Sequence, residues 1–370
     1  MRFGVFLLSA RFPGEDDAAA VRRTVRAALL AEEVGFDEVW LAEHHFMSYG
    51  VVPSAITLAG HLLGRTRRIA VGTAVSVLSA THPVALAEQA ALLALASDGR
   101  LRLGVGRGGP WRELEVLGTG LRRYEEGFGE SLDLLLAWLR ADRLGWSGDH
   151  FSFREVPVVP RAAQPPPVAV ACTSPATETL AASRGLPMLL GMHVGDAEKA
   201  AAIRRHDAVL NEHGTSADPH GYGPAHGSGA PGSAYDPGPD RGRVGRGLEG
   251  ARGHVSVHLA QVGASREAAE ELLAREMPQW LGPALEGYVP VDGRARSPRD
   301  ALDYVRELCS MHPVGSTAEC AVRIEATVAA TGVRNLIFLV EGAGSEEATL
   351  ANIRRLGAEV LPRVTLRGST

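Results

Sequence analysis

Residues 37–46, DEVWLAEHHF, place an apolar run directly before three titratable side chains. The run at 39–42 predicts a short buried strand, and Glu43, His44 and His45 follow at its end. A strand–helix–strand repeat at this spacing predicts parallel pairing with right-handed crossovers. Around this segment the repeat consists of a strand at 2–8, a helix at 17–34, a helix at 54–63 and a strand at 68–77.

The same alternation continues to the end of the chain. Further strands are predicted at 100–106, 166–172, 187–192, 254–262 and 333–340. We therefore predict a single (β/α)8 TIM-barrel domain over residues 1–370, since eight strands each followed by a helix fit a closed barrel better than an open sheet. The glycine-rich stretch GVGRGG at 104–109 does not have the spacing of a dinucleotide-binding fingerprint.

Two segments do not fit the repeat. Residues 214–253 are crowded with Gly, Pro, His and Asp and cannot bury a core, so we predict a flexible insertion there. Its histidines, His220 and His226, are more typical of a solvated linker than of a metal site. Residues 285–315 form a long excursion, which on a barrel is typical of a lid or binding loop.

Bulk composition excludes several classes of function. The net charge of −5 and pI near 6.2 give no basic surface for nucleic acid or anionic lipid. No window reaches the length of apolar chain that crosses a membrane, and the N-terminal apolar run is too short for a signal peptide. The three cysteines have no paired spacing. We expect a reduced, cytoplasmic, soluble protein without a metal site.

Polar side chains cluster where three predicted strands end. In a closed parallel barrel, functional groups gather at the carboxyl ends of the strands. The clusters are Glu43, His44 and His45 after the second strand, Arg107 after the fourth, and Thr173, Ser174 and Thr177 after the fifth.

The fourth and fifth strand ends together suit an anion. Free N–H groups at a helix start, with two hydroxyls and Pro175 in the first turn, can hold a phosphate, and Arg107 would add a bidentate charge. The alternative is that Ser174 only caps its helix and Arg107 pairs with a surface acid.

Three interpretations compete for Glu43, His44 and His45. Metal binding is the weakest, because adjacent residues on a strand point to opposite faces. Acid–base chemistry suits an imidazole at a barrel mouth. A structural hydrogen-bond network is the third interpretation, and the residues alone do not choose between the last two.

With these clusters in view, the sequence resembles the bacterial luciferase-like flavin-dependent monooxygenases, and most closely their catalytic α subunit. The likeness runs through nearly the whole chain. It is carried by MRFGVFLLS (1–9), GFDEVWLAEHHF (35–46), VGTAVSVL (71–78), HPVALAE (82–88), GRLRLGVGRG (99–108), ASRGLPMLL (182–190), HPVG (312–315) and GSEEATLANI (344–353).

The resemblance implies a site for reduced FMN at the strand ends. The phosphate would be held by Arg107 and by Thr173, Ser174 and Thr177, with Glu43 beside the flavin. A cis peptide bond is implied between Ala74 and Val75, under the ring system. His44 would be the essential acid–base imidazole and His45 its supporting neighbour.

The implied reaction is activation of O2 by FMNH2 as a flavin C4a-peroxide, which oxidises a small carbonyl or polyketide-like molecule. The excursion at 285–315 would be the mobile active-site loop. Phe6, Gly106 and Met192 would line the substrate pocket. Gly106 and Met192 stand where luciferases have Cys and Trp, so the pocket for a long-chain aldehyde is changed.

Partners follow from the same resemblance. FMNH2 would come from a separate NAD(P)H:flavin reductase, and helices at 54–64 and 84–97 would form the interface of a homodimer. Two alternatives stay open: a deazaflavin-dependent hydride-transfer oxidoreductase of the same superfamily, and a non-catalytic flavin-binding accessory protein.

Overall fold

A computed structural model describes residues 1–109, 111–212, 253–287 and 300–365 of the chain. Its strands are β1 (Arg2–Leu7), β2 (Glu38–Leu41), β3 (Ala70–Thr73), β4 (Ser76–Val77), β5 (Leu101–Gly106), β6 (Arg143–Ser147), β7 (Ser152–Pro157), β8 (Val168–Cys172), β9 (Met188–Leu190), β10 (Val255–Leu259), β11 (Gln261–Val262), β12 (Val314–Gly315) and β13 (Asn335–Leu339).

The helices lie mostly between these strands. They are α1 (Asp17–Glu33), α2 (Ala55–Arg65), α3 (Pro83–Ala96), α4 (Trp111–Val116), α5 (Leu121–Glu125), α6 (Phe128–Arg140), α7 (Pro175–Ser183), α8 (Asp196–Glu212), α9 (Arg266–Gly287), α10 (Ala301–Met311), α11 (Thr317–Thr331) and α12 (Glu346–Arg355). No helix in the described ranges is long and apolar enough to cross a membrane.

Eight parallel strands close into a barrel, which confirms the predicted (β/α)8 fold. The hydrogen-bonded order is β3–β2–β1–β13–β10–β9–β8–β5–β4, and pairing of β3 with β5 closes the circle. The strand predicted at 68–77 is divided into β3 and β4, with a cis peptide bond between Ala74 and Val75 in the gap. The strand predicted at 254–262 is likewise divided, because β11 pairs with β12 outside the barrel.

Alternate side chains of each barrel strand pack on its two sides. In β1, Val5 and Leu7 belong to the apolar cluster shared with the outer helices, and Phe6 belongs to the second cluster. Both faces of a parallel strand are buried in this architecture, which explains the unbroken apolar runs in the sequence. Trp40 fills the interior next to Gly72, where an added Cβ would lie 2.5 Å from the indole ring.

A buried polar chain joins α8 and β10 to the barrel rim. The Ser256 hydroxyl lies 2.8 Å from His258 Nε2, and the Nδ1 atoms of His258 and His312 lie 3.2 Å apart. His312 Nε2 donates to the Met192 carbonyl over 2.7 Å. Lys199 is 1% exposed and donates from Nζ to the Val257 carbonyl over 2.8 Å. These contacts are consistent with neutral imidazoles.

The segments outside the repeat are described only in part. Residues 213–252 and 288–299 lie outside the described residues, and with them nearly all of the predicted insertion and part of the predicted loop. The rest of 285–315 forms the end of α9, then α10 and β12. An antiparallel hairpin of β6 and β7 and the helices α4, α5, α6 and α11 were not predicted from the sequence.

Candidate active site

The three predicted polar clusters lie at the same end of the barrel. Residues 43–45 follow β2, residue 107 follows β5 and residues 173–177 follow β8. β5 pairs with β8 on one side and with β3 and β4 on the other, and β3 pairs with β2. The clusters therefore share the rim at which parallel barrels carry their sites.

Glu43 joins two elements of the rim. Its Oε2 accepts the N–H of Ala55, the first residue of α2, over 2.9 Å. Its Oε1 accepts the N–H of Val77 in β4, also over 2.9 Å. The carboxylate thus stabilises the start of α2, where orphan N–H groups need acceptors, and holds β4 in place after the cis bond.

His44 is a shielded imidazole without a hydrogen bond to any described residue. Its Nδ1 is buried, and an added Cβ at Gly50 would lie only 2.5 Å from that atom. The ring of Tyr49 meets the imidazole edge-on with centroids 4.8 Å apart. Burial, with a smaller contribution from His45, lowers the pKa of His44 to about 4. The ring is therefore neutral and available as a base at neutral pH.

His45 lies in the opposite electrostatic environment. Its Nε2 is 3.7 Å from Glu43 Oε1, longer than a hydrogen bond but close enough for a strong charge interaction. The Glu43 carboxylate raises the pKa of His45 above its usual value, against the effect of burial. Glu113 on α4 also favours the cation. Glu113 was not among the predicted site residues, although it lies in the short helix Trp111–Val116 just after the glycine-rich stretch.

Arg107 presents a cation at the rim. Its guanidinium carbon lies 4.6 Å from the centroid of the Tyr124 ring, and the side chain is half-buried. No carboxylate of the described residues pairs with it, which disfavours the surface-pair alternative. A guanidinium held on an aromatic face keeps its N–H donors available for an anion.

The start of α7 is built as a capping box. Ser174 is the N-cap, and its hydroxyl accepts the Thr177 N–H over 3.4 Å. Thr177 Oγ1 in turn accepts the N–H of Ser174 over 3.2 Å and lies 3.3 Å from the N–H of Thr173. The capping alternative for Ser174 therefore holds. An anion would meet the N–H of the exposed Ala176, one of the groups that the first turn of a helix leaves without an intrahelical acceptor, and the hydroxyls of Ser174 and Thr177.

Val75 fills the space beside Gly106. An added Cβ at Gly106 would lie 2.6 Å from Val75 Cγ2 and 3.4 Å from Ala171 Cβ. A larger residue at 106 would therefore need Val75 to move. The space that a side chain at position 106 would need is therefore occupied by Val75.

Phe6 and Met192 lie in one apolar cluster at the mouth. Both are buried, at 7% and 9% exposure, and the cluster includes Trp280 with Tyr49 and Val75 at its edge. The Met192 carbonyl accepts from His312, which fixes the backbone on this side of the rim. The structure thus places all three predicted pocket residues around the rim, and their contact with a substrate stays a prediction.

Cys172 is a buried structural thiol. It is 6% exposed, and burial raises its pKa to about 12. A thiol that stays protonated is a poor nucleophile, so a reactive role beside the anion site is disfavoured.

One group of possible metal ligands occurs within the described residues, at the opposite end of the barrel. It comprises His206, Asp207 and His254. The Nδ1 of His254 accepts the Met188 N–H over 2.9 Å, so the proton of the neutral ring lies on Nε2. His206 Nε2 bonds the Leu186 carbonyl over 2.9 Å. These hydrogen bonds fit two structural imidazoles better than a metal centre.

The rim fits a phosphorylated flavin. Three groups suit such a ligand, and none of them has a hydrogen-bonding or ionic partner among the described residues: the Arg107 guanidinium, the Ala176 N–H at the start of α7 and the His44 imidazole. The exposed Gly108, with φ of +81°, follows Arg107 and leaves its backbone accessible. An anion, a planar ring system and a reacting group could each find a matching partner there.

Comparison with known proteins gives a family match over most of the chain. The model of a family described as luciferase-like monooxygenase matches residues 1–335. The alkanal monooxygenase alpha chain of the Kryptophanaron alfredi symbiont is 27% identical over 384 residues, covering 98% of this chain and 98% of that protein.

Solved structures share the barrel. The oxygenating constituent of 3,6-diketocamphane monooxygenase from Pseudomonas putida, a type II Baeyer–Villiger monooxygenase in complex with FMN, has a TM-score of 0.71 at 20% identity, covering 100% of this chain and 99% of that one. An F420-dependent secondary alcohol dehydrogenase has a TM-score of 0.71 at 16% identity, covering 98% and 99%. At these identities the likeness shows the fold.

Proposed function

We propose that this chain, which belongs to the luciferase-like monooxygenase family, uses reduced FMN and O2 to oxidise a small carbonyl or polyketide-like substrate. In this proposal Arg107 and the start of α7 hold the phosphate, with Thr173, Ser174 and Thr177 around it. Glu43, Ala74 and Val75 lie beside the ring system, and His44 is the acid–base group.

The observation that carries this proposal is the Arg107 guanidinium at the end of β5, which forms no ion pair with any residue in the described ranges. A cation with free donors, beside a helix N-terminus whose exposed N–H is also free, is a site for a dianion. FMN carries such a group at one end and its reactive ring at the other. The neutral imidazole of His44, on the same rim, supports the second half of the assignment.

Each residue at the rim has a physical task in this reaction. When bound, reduced flavin supplies the electrons that activate O2. The apolar cluster that contains Phe6, Met192 and Trp280 excludes water from the reacting centre. His44 takes a proton from the substrate or returns one to it at the imidazole nitrogen that is not buried beneath Gly50.

Binding of FMN and riboflavin by an Arg107→Met variant tests the phosphate assignment. The two ligands share the ring and differ in the phosphate. We expect the variant to bind FMN at least about tenfold more weakly and riboflavin unchanged. Arg112→Met, which removes a cation that lies over Trp111 on α4, serves as the matched control. Equal weakening of both ligands, or of neither, contradicts the assignment.

A deazaflavin-dependent hydride transfer is the second candidate. It is supported by the F420-dependent dehydrogenase, whose TM-score equals that of the FMN-bound monooxygenase. Parallel titrations with FMN and coenzyme F420 decide between them, together with O2 consumption in the presence of the reduced cofactor. A non-catalytic accessory protein would bind the cofactor, but with every tested substrate its O2 consumption would not exceed that of free reduced flavin.

Two partners belong to the proposal. Reduced FMN would be supplied by a separate NAD(P)H:flavin reductase. A second copy of the chain would pack on α3, where Leu92 and Leu95 are 56% and 49% exposed on a helix whose opposite side is buried against the barrel. Sedimentation equilibrium tests the homodimer, and Leu92→Glu with Leu95→Glu is expected to give monomers.

A further inference from the structure

Three titratable groups, those of Glu43, His45 and Glu113, meet behind the rim. Glu113 lies on the six-residue helix α4, and its side chain is only 2% exposed. An added Cβ at Gly108 would lie 3.3 Å from Glu113 Oε2 and 2.5 Å from Val77 Cγ1. The Glu113 carboxyl therefore lies under the backbone that follows β5, beside the residue whose N–H donates to Glu43.

His45 lies between the two carboxyl groups. Its Nε2 is 3.7 Å from Glu43 Oε1, and its backbone N–H faces the Glu113 carboxyl and opposes the rise in the pKa of that group. The side chain is 11% exposed, and its buried Nε2 has no hydrogen bond with any described residue. His45 thus faces one carboxyl with its ring and the other with its backbone, and all three side chains are largely shielded from solvent.

The charges in this cluster are coupled. Burial raises the pKa of Glu113 to about 7, the Glu43 carboxylate acts in the same direction, and His45 opposes it. Glu43 and Glu113 both raise the pKa of His45. Two carboxylates in a shielded site repel each other unless a cation lies near them. The protonation of Glu113 and the protonation of His45 are therefore coupled.

We propose that Glu113 and His45 hold one exchangeable proton between them, beside the Glu43 carboxylate, and so set the charge that His44 experiences. With the proton on the imidazole, Glu113 is ionised and His45 is a cation. With the proton on Glu113, the His45 imidazole is neutral. The transfer moves one proton between the two groups and exchanges none with solvent. Glu113 is then a positioning residue that acts through His45.

The consequence concerns the base in the site. The cationic form of His45 lowers the pKa of His44, so a transfer of the proton to Glu113 makes His44 the stronger base. This consequence rests on the proposed function. The shared proton itself is a property of the free protein and can be measured without cofactor or substrate.

An NMR titration of the free protein tests the proposal, with glutamate labelled at the carboxyl carbon and histidine in the ring. We expect one glutamate carboxyl to titrate near neutral pH together with the ring of His45. In Glu113→Gln this glutamate signal disappears. The pH at the midpoint of the His45 titration falls by about half a unit or more. Glu113→Asp, which keeps the carboxyl, should retain a coupled pair and covers the case in which the amide variant does not fold.

Glu115→Gln is the matched control, because it removes one exposed carboxylate from the same helix. It should leave the His45 titration unchanged. A His45 midpoint equal in wild type and Glu113→Gln overturns the proposal, as does the absence of any glutamate that titrates above about pH 5. Since FMN plays no part in the titration, loss of FMN binding would refute the proposed function and leave this result standing.

Discussion

His44 and His45 are neighbours in the sequence with opposite proton affinities. Burial under Gly50 lowers the pKa of His44, whereas the Glu43 carboxylate raises that of His45. Two adjacent imidazoles can therefore carry different protonation states at one pH. The site therefore contains a neutral base, His44, next to an imidazole whose protonated form is stabilised, His45.

Replacement of the base alone should separate chemistry from binding. We expect His44→Ala to lower the turnover number by at least about 100-fold, because the variant has no group to move the proton. The dissociation constant for FMN should stay within about twofold, since the proposed phosphate contacts lie elsewhere on the rim. Rapid-reaction and equilibrium binding measurements check the two quantities. Unchanged turnover would remove His44 from its assigned role.

The end of β1 depends on a buried ion pair between α1 and the segment after β13. Glu341 is fully buried, and its Oε2 accepts the N–H groups of Leu8 at 2.6 Å and Ser9 at 3.2 Å. Arg23 of α1, also fully buried, lies 3.3 Å from its other oxygen and donates to the Ala10 carbonyl. The Glu341 carboxylate and the Arg23 guanidinium thus hold the turn after β1. The Leu8 carbonyl in this turn faces Gly50 beside His44.

Removal of this carboxylate should be costly. Among the described residues, Glu341→Gln leaves the buried Arg23 with Glu15 as its one acidic partner, so we expect a loss of about 3 kcal/mol in the free energy of unfolding. Glu346→Gln breaks the exposed pair with Arg26 and should cost less than about 1 kcal/mol. Denaturant titrations measure both values. Similar losses in the two variants would refute the special role of the buried pair.

One of the elements that the sequence did not predict, β7, lies where the apolar pattern is weak. The barrel strands were found because both of their faces are buried, and the start of α7 because Ser174 and Pro175 are typical of a helix N-terminus. β7 was missed because most of its side chains are exposed and show no alternation. The burial of Glu113 depends on how the chain folds back under Gly108, which no local pattern encodes.

Across the whole molecule, the buried bases make stability depend on pH. Burial, together with Lys199, lowers the pKa of His312 to about 3, and burial lowers that of His258 well below its ordinary value. The unfolded chain binds these protons at the ordinary value of 6.5, so it holds more protons than the folded chain between the two values. The free energy of unfolding therefore decreases as the pH falls from about 6.5 towards about 3.

Substitution of His312 should reduce this dependence. We expect His312→Gln, which keeps a donor for the Met192 carbonyl, to lower stability at about pH 8 but to lose less on going to about pH 5 than the wild type does. Exposed His61 on α2 gives the control, and His61→Gln should retain the slope of the wild type. Chemical denaturation at several pH values checks the expectation, and parallel slopes in all three proteins would contradict it.

Lys199 is the one lysine in the chain, and it is buried against β10. An endoproteinase that cuts only after lysine therefore has a single target bond, which is protected in α8 until the fold opens. Each molecule can be cut once, into residues 1–199 and 200–370. The rate of that cleavage, followed by gel electrophoresis, would report directly how often the barrel opens, with no label added to the protein.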